Sequence, residues 1–221
     1  MRTIILAGAL LVGAMTFVGA TETHAGASSR ATEPQRMHDY FRHARDAFSK
    51  QQFDEASRDI RAGADVVRRE ANKATGAEKD GLVASAGDLK ELASRVEKGS
   101  VKDEKELNRE FARADNRLAG HYQKLASASW GRQNASQTGG ALEIAAAYFK
   151  EATSWTGEKA SDAAETARTV SGKLVEGAGW VPKEVGDAIS GLGHGIQDLG
   201  EKIEPGKATA GTKERPAEHS D

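Results

Sequence analysis

The longest run of helical periodicity lies between Asp103 and Gln133. Apolar residues recur there at alternating steps of four and three, a spacing that places them on one side of an α-helix. They are Leu107, Phe111, Ala114, Leu118, Tyr122 and Leu125. A helix of about 30 residues is about 45 Å long, so shorter helices can pack along it. We therefore predict that the rest of the chain is organised around this helix.

Shorter patterns of the same kind flank it. On the N-terminal side they predict helices at about 32–52, 53–71 and 75–98, with Thr32 and Pro34 typical of a helix start. On the C-terminal side they predict helices at about 136–155 and 158–177, and a last one at 182–203. Gly177, Gly179 and Pro182 interrupt the pattern before that last helix. We predict an all-α fold: an antiparallel bundle of five or six helices (32–177), followed by a hinge and a C-terminal amphipathic, glycine-rich helix (178–203).

Two parts of the chain resemble each other at an offset of 82 residues. Phe48 then aligns with Trp130, Gln51 with Gln133, and Ile60 with Leu142. Each part contains the end of one helix, a short polar turn and the start of another. One interpretation is a pair of related helical hairpins. The other is that any two alanine-rich amphipathic hairpins align this well, and the period near 34 that marks tetratricopeptide arrays is absent.

The last quarter of the chain has a seven-residue repeat of glycine, at Gly172, Gly179, Gly186, Gly193 and Gly200. Beside its last three members runs an apolar stripe of Val185, Ile189, Leu192, Ile196, Leu199 and Ile203. Such a stripe faces another helix, and glycine within a helix costs about 1 kcal/mol relative to alanine. Repeating that cost on one line favours close approach of another backbone.

We therefore assign the six stripe residues, with Gly186, Gly193 and Gly200, as the candidate interaction surface. Either 182–203 binds a protein partner or a second copy of the chain, or it folds back and covers its own bundle. Association with a lipid surface is the weakest version, because the polar face of this helix carries no excess of positive charge.

The two ends of the chain have patterns that predict a signal peptide at the N-terminus and a disordered tail at the C-terminus. Residues 1–25 have the positive start, apolar run and small-residue exit of a secretory signal peptide, with a cut after Ala25, although Ala20 and Ala27 also fit. An uncleaved membrane anchor is the alternative. After cleavage we expect no integral membrane segment, and a periplasmic or secreted location in a bacterial cell envelope. Residues 204–221 are polar and rich in Pro, Gly, Lys and Glu, so we predict a disordered tail.

Composition and motifs limit the chemistry. The net charge is -2 with 29% charged residues, and no face concentrates Lys and Arg, so we expect no nucleic-acid partner. The chain has no cysteine, which excludes disulfides and thiolate metal sites. Neither a Gly-x-Ser-x-Gly elbow nor a His-Glu-x-x-His helix is present. We expect no enzymatic activity, no catalytic residues, no metal and no cofactor.

The functional hypothesis is an exported, non-enzymatic helical-bundle protein that acts by protein–protein association, in an envelope structural, adaptor or stress-related role. An alternative of another class uses His121, which lies next to the apolar stripe of the long helix. If it met a histidine of the first helix, His38 or His43, the bundle could hold a small cofactor or a metal. A single histidine at such a position more often makes a structural hydrogen bond.

Overall fold

The computed structural model describes residues 25–159 and 162–204, with side chains from Pro34 onward. These residues form seven helices and no strand, which confirms the all-α bundle. The helices are α1 (Ala25–Ser49), α2 (Phe53–Ala71), α3 (Gly76–Glu97), α4 (Glu104–Gly131), α5 (Ala135–Thr156), α6 (Asp162–Glu176) and α7 (Pro182–Ile203). Apart from Ala25 and Glu204, the predicted signal peptide and the predicted tail lie outside the described residues.

The helix boundaries follow the local signals with two corrections, and one of them is that α6 begins at Asp162 and not near residue 158. Helix α1 begins at Ala25, so the predicted start at Thr32 is wrong. Pro34 lies inside the helix. Its fixed φ is compatible with helical geometry, but a proline there removes one backbone hydrogen bond, and its ring crowds the carbonyl group four residues earlier. The predicted stop of α3 is confirmed: Gly99 has φ +62°, and the N–H of Ser100 donates to the carbonyl of Arg95, as in a Schellman motif.

Helix α4 is the centre of the bundle, as its length predicts. It packs against α1, α2, α3, α5 and α7. Phe111 of α4 stacks on Phe41 of α1 with ring centroids 4.2 Å apart, in the core. The predicted stripe fails at Leu125, which is 40% exposed, whereas Ala126 is buried. A seven-residue spacing drifts by about 20° per heptad around a straight helix, so the stripe moves off the core face by its last member.

The turns after α1 and α4 support the relation between the two hairpins. Gln51 and Gln133 have positive φ angles of 61° and 57°, and they are 82 residues apart. The next residue in each turn donates its N–H back to the helix: Gln52 to Ala47 and Asn134 to Ser129. Positive φ is uncommon for residues other than glycine. Its recurrence at the same place in the same turn favours two related units over chance.

The correspondence at an offset of 82 residues also holds for the buried positions and for the order in which the helices pack. Buried residues align along α2 and α5 in the pairs Ala56/Thr138, Ser57/Gly139, Ile60/Leu142, Ala64/Ala146, Val67/Phe149 and Ala71/Thr153. The packing order α1–α2, α2–α3 and α3–α4 recurs as α4–α5, α5–α6 and α6–α7. Helix α7 thus occupies the place of the first helix of a third unit, and α7 packs on α4 as α4 packs on α1.

Candidate functional site: the interface between α4 and α7

Helix α7 lies against α4 and α6 with its apolar stripe inward. The stripe members Val185, Ile189, Leu192, Leu199 and Ile203 are buried, and Ile196 is half-buried, as are Gly186, Gly193 and Gly200. Of the two arrangements open from the sequence, the structure therefore has the one in which α7 covers its own bundle. Association of 182–203 with another protein stays a prediction.

Two side-chain amides of α4 hold α7 by hydrogen bonds to its backbone. Asn116 Nδ2 donates to the carbonyl oxygen of Ile196 at 3.0 Å. Gln123 Nε2 donates to the carbonyl oxygen of Ile189 at 3.1 Å. The two donors are seven residues apart and so are the two acceptors, in opposite chain directions. The contact is therefore a regular ladder between antiparallel helices.

The glycine repeat makes room for these amides. A β-carbon at Gly193 would lie 3.0 Å from Gln123 Nε2, and one at Gly200 would lie 3.2 Å from Asn116 Nδ2. At Gly186 a β-carbon would meet nothing within 4 Å. The predicted approach of another backbone is thus wrong at these positions. Side chains fill the space instead, and each donates to the carbonyl four residues before the glycine.

Polar contacts close the C-terminal end of the interface. Glu204, the residue after α7, is paired with two arginines of α4: its Oε1 lies 2.7 Å from Arg113 Nε and 3.2 Å from Arg117 Nη2. Arg117 also donates to the carbonyl of Gly81 in α3 at 3.1 Å. Asn116, Arg113 and Arg117 line a cavity of about 390 Å³ beside these pairs.

The N-terminal end of α7 follows a sharp bend. Gly177 and Gly179 both have φ +74°, a backbone conformation that favours glycine. Trp130 of α4 meets Trp180 edge to face, with ring centroids 5.5 Å apart. Lys173 of α6 pairs with Glu184 of α7 at 2.5 Å. The predicted hinge is therefore a two-glycine connection, with one aromatic and one ionic contact beyond it.

A buried carboxyl group was missed by sequence reasoning. Asp115 of α4 is 1% exposed, and its Oδ2 accepts a hydrogen bond of 2.9 Å from the indole N–H of Trp155. Burial raises the pKa of Asp115 well above its usual 3.8; the Trp155 hydrogen bond opposes this change, and the charge of Glu151 adds to it. The sequence did contain a sign of this burial: Asp115 lies between Phe111 and Leu118 on the same face of the helix, and that face is the one predicted to be buried.

The three histidines of the cofactor- or metal-binding hypothesis, His121, His38 and His43, lie in different surroundings. His121 is buried, its ring lies 5.2 Å from that of Tyr122, and burial lowers its pKa. His38 Nδ1 lies 2.5 Å from Glu151 Oε2 on α5, and its ring is 5.5 Å from that of Trp155. His43 is exposed. Across residues 25–159 and 162–204, no three His, Asp or Glu side chains are grouped as metal ligands.

The fold and this interface define an all-α bundle whose last helix follows a two-glycine connection and covers the core. Comparisons of the chain with protein-family models, with curated proteins and with solved structures give no match. Within the part of the chain that the structure describes, no helix has the length and apolar character needed to cross a membrane.

Proposed function

We propose that this chain is an exported, non-enzymatic helical-bundle protein that acts by protein–protein association, in a structural, adaptor or stress-related role in the cell envelope. The segment that associates is α7, which leaves its own bundle and occupies the same site on a second copy. The signal-peptide pattern of residues 1–25 supports the exported location.

The observation that carries this proposal is the way α7 is attached. Its hydrogen bonds to α4 come from two separate side-chain amides, and its only covalent link to the bundle is the segment with Gly177 and Gly179. Nothing in these contacts depends on both helices belonging to one molecule. Exchange of an identical element between copies is a low-cost route to a dimer, because the interactions that break within one molecule form again between two.

A disulfide can report which copy supplies α7. A β-carbon at Gly120 of α4 would lie 3.7 Å from Ile196 Cγ2 of α7, close enough to test a cysteine pair there. The chain has no cysteine of its own, so Gly120→Cys with Ile196→Cys creates one defined pair. We expect that protein held concentrated under reducing conditions and then oxidised runs partly as a covalent dimer on a non-reducing gel.

The matched controls are the two single variants, Gly120→Cys and Ile196→Cys. Neither places two thiols across the interface, so each should run as a monomer on the same non-reducing gel. Protein that is oxidised when dilute should form the disulfide within one molecule. Because α7 is then locked to its own bundle, light scattering should detect no dimer. Only intramolecular bonds at every concentration would show that α7 does not exchange, and the proposal would fail.

A further inference from the structure

The Arg113–Arg117 pair lies on one face of α4, because residues four apart are neighbours on a helix. Both guanidinium groups contact a single carboxylate, that of Glu204. The three side chains are between 18% and 30% exposed, so the contact is partly shielded from water. Glu110 also pairs with Arg113, and the carbonyl of Gly81 takes one N–H of Arg117. The arrangement is a carboxylate-binding site occupied by a residue of the same chain.

Space for a larger ligand adjoins this site. The cavity of about 390 Å³ is also lined by Gln197, Gly200, Glu201 and Ile203 of α7. At the 82-residue offset, Gln197 and Glu204 correspond to Asp115 and Tyr122 of α4. In that earlier unit α5 covers the equivalent face: Trp155 is bonded to Asp115, and the ring of Tyr148 lies 6.0 Å from that of Tyr122. The cavity thus lies where the next helix of the array would pack.

We propose that Arg113 and Arg117 bind a carboxylate presented by an acidic polypeptide segment, and that Glu204 occupies their site while α7 is closed. This inference rests on the proposed function and deepens it. Glu204 directly follows α7, so a partner that displaces its carboxylate removes one of the contacts that hold the C-terminal end of the helix on α4.

The test uses the whole purified chain with Glu204→Gln, which removes the carboxylate charge from both arginines at almost the same side-chain size. The probe is a fluorescently labelled hexaglutamate peptide, followed by anisotropy. Charge-assisted hydrogen bonds to arginine are the strong ones, so we expect about tenfold tighter binding than by the unchanged chain. Glu201→Gln is the matched control: it removes one negative charge from the same cavity without freeing either arginine, so it should bind like the unchanged chain.

Adding Arg113→Gln and Arg117→Gln to Glu204→Gln should abolish the gain. No gain with Glu204→Gln, or a gain that survives loss of both arginines, overturns the proposal. Displacement of the probe by succinate as effectively as by unlabelled hexaglutamate, at equal carboxylate concentration, would overturn the polypeptide assignment and indicate a small-anion site.

Circular dichroism melts check that each variant is folded. If Glu204→Gln does not fold, the test uses Glu204→Asp, which shortens the reach of the carboxylate. This variant should bind the probe with an affinity between those expected for the unchanged chain and for Glu204→Gln. An affinity equal to that of the unchanged chain would count against the site. The disulfide test of α7 exchange does not involve Glu204. Exchange without carboxylate binding would therefore overturn this site alone, and carboxylate binding without exchange would overturn only the exchange of α7.

Discussion

Asp115 shows how one buried polar residue constrains the packing of the apolar side chains around it. Its carboxyl group is bonded to Trp155, whose ring packs edge to face against Phe41 and Phe111, so the group links α4 to α5 beside α1. The ionisable groups near this cluster include Glu151, its contact His38, and Arg45, whose guanidinium lies 5.3 Å from the Trp155 ring. Because an ionised carboxylate is disfavoured in such surroundings, the protonated form fits the fold better.

Asp115→Asn should make this preference measurable. The pKa of Asp115 is raised on folding, so its stabilising effect is fully present below its ordinary pKa near 3.8 and is lost as the pH rises through the folded-state pKa. We expect the variant and the unchanged chain to be similarly stable at pH 4, and the variant to be more stable at pH 8 by about 1–3 kcal/mol. Urea denaturation at a series of pH values measures the difference.

The control for Asp115→Asn is Asp88→Asn, at an exposed position of α3, which should change the free energy of unfolding by no more than about 0.5 kcal/mol at any pH. If Asp115→Asn were the less stable protein throughout the series, the ionised carboxylate would be contributing stability through its bond to Trp155, and the expected gain in stability at pH 8 would be wrong in sign.

At the scale of one element, α7 combines a low helix propensity with a specific packing surface on α4. Its glycines weaken it as an isolated helix. On the bundle, two of them admit the amides of Asn116 and Gln123, which then satisfy carbonyl groups on α7. The helix is therefore stable mainly where that particular surface of α4 is present. This dependence is what a segment that docks and releases requires.

The glycines of the repeat should respond differently to alanine. The β-carbon added by Gly186→Ala would have no atom within 4 Å, so the higher helix propensity of alanine should stabilise the protein by up to about 1 kcal/mol. Gly193→Ala forces the amide of Gln123 to move and weakens its hydrogen bond, which offsets that gain. We expect Gly193→Ala to be the less stable of the two by about 1–2 kcal/mol in urea denaturation. Equal stabilisation by both would show that the amide ladder contributes nothing.

At the scale of the whole molecule, residues 25–159 and 162–204 form two three-helix units followed by one further helix, α7. The outer face of α7 is polar, and its exposed residues include Lys183, Asp187, Ser190, His194, Asp198 and Glu201. A terminal element with one apolar and one polar face is what a stacked array needs at its end, because the last unit would otherwise expose its packing surface.

A chain ending at Trp180 should therefore unfold more readily. It loses α7 and exposes the surfaces of α4 and α6 that bury Val185, Leu192 and Leu199. Each large apolar side chain that is fully buried contributes about 1.5–3 kcal/mol as an upper estimate. We expect the melting temperature to fall by roughly 10 °C or more. The matched control is a chain ending at Glu204, which keeps the contacts of α7 described above and should melt as the full chain does. An unchanged melting temperature after removal of α7 would contradict its role in closing the core.

The sequence by itself determined the helices, their order, the central place of α4 and the bend before α7. Those features depend on residues close together in the chain: apolar spacing of three and four, glycines at helix ends, and proline at a helix start. The resemblance between the two hairpins is also present in the sequence, and the matching φ angles of Gln51 and Gln133 favour a relation between them over chance.

Only the tertiary structure decided which side chains the glycine repeat accommodates and which residue the buried carboxyl group of Asp115 contacts. Asn116 meets α7 at a separation of 80 residues, Gln123 at 66, and Trp155 meets Asp115 at 40. Helical periodicity states which face of a helix is apolar, but it carries no information on which other helix covers that face or in what register. Gly186 and Gly193 are therefore equivalent in the repeat, and only the position of α4 makes one of them open and the other filled.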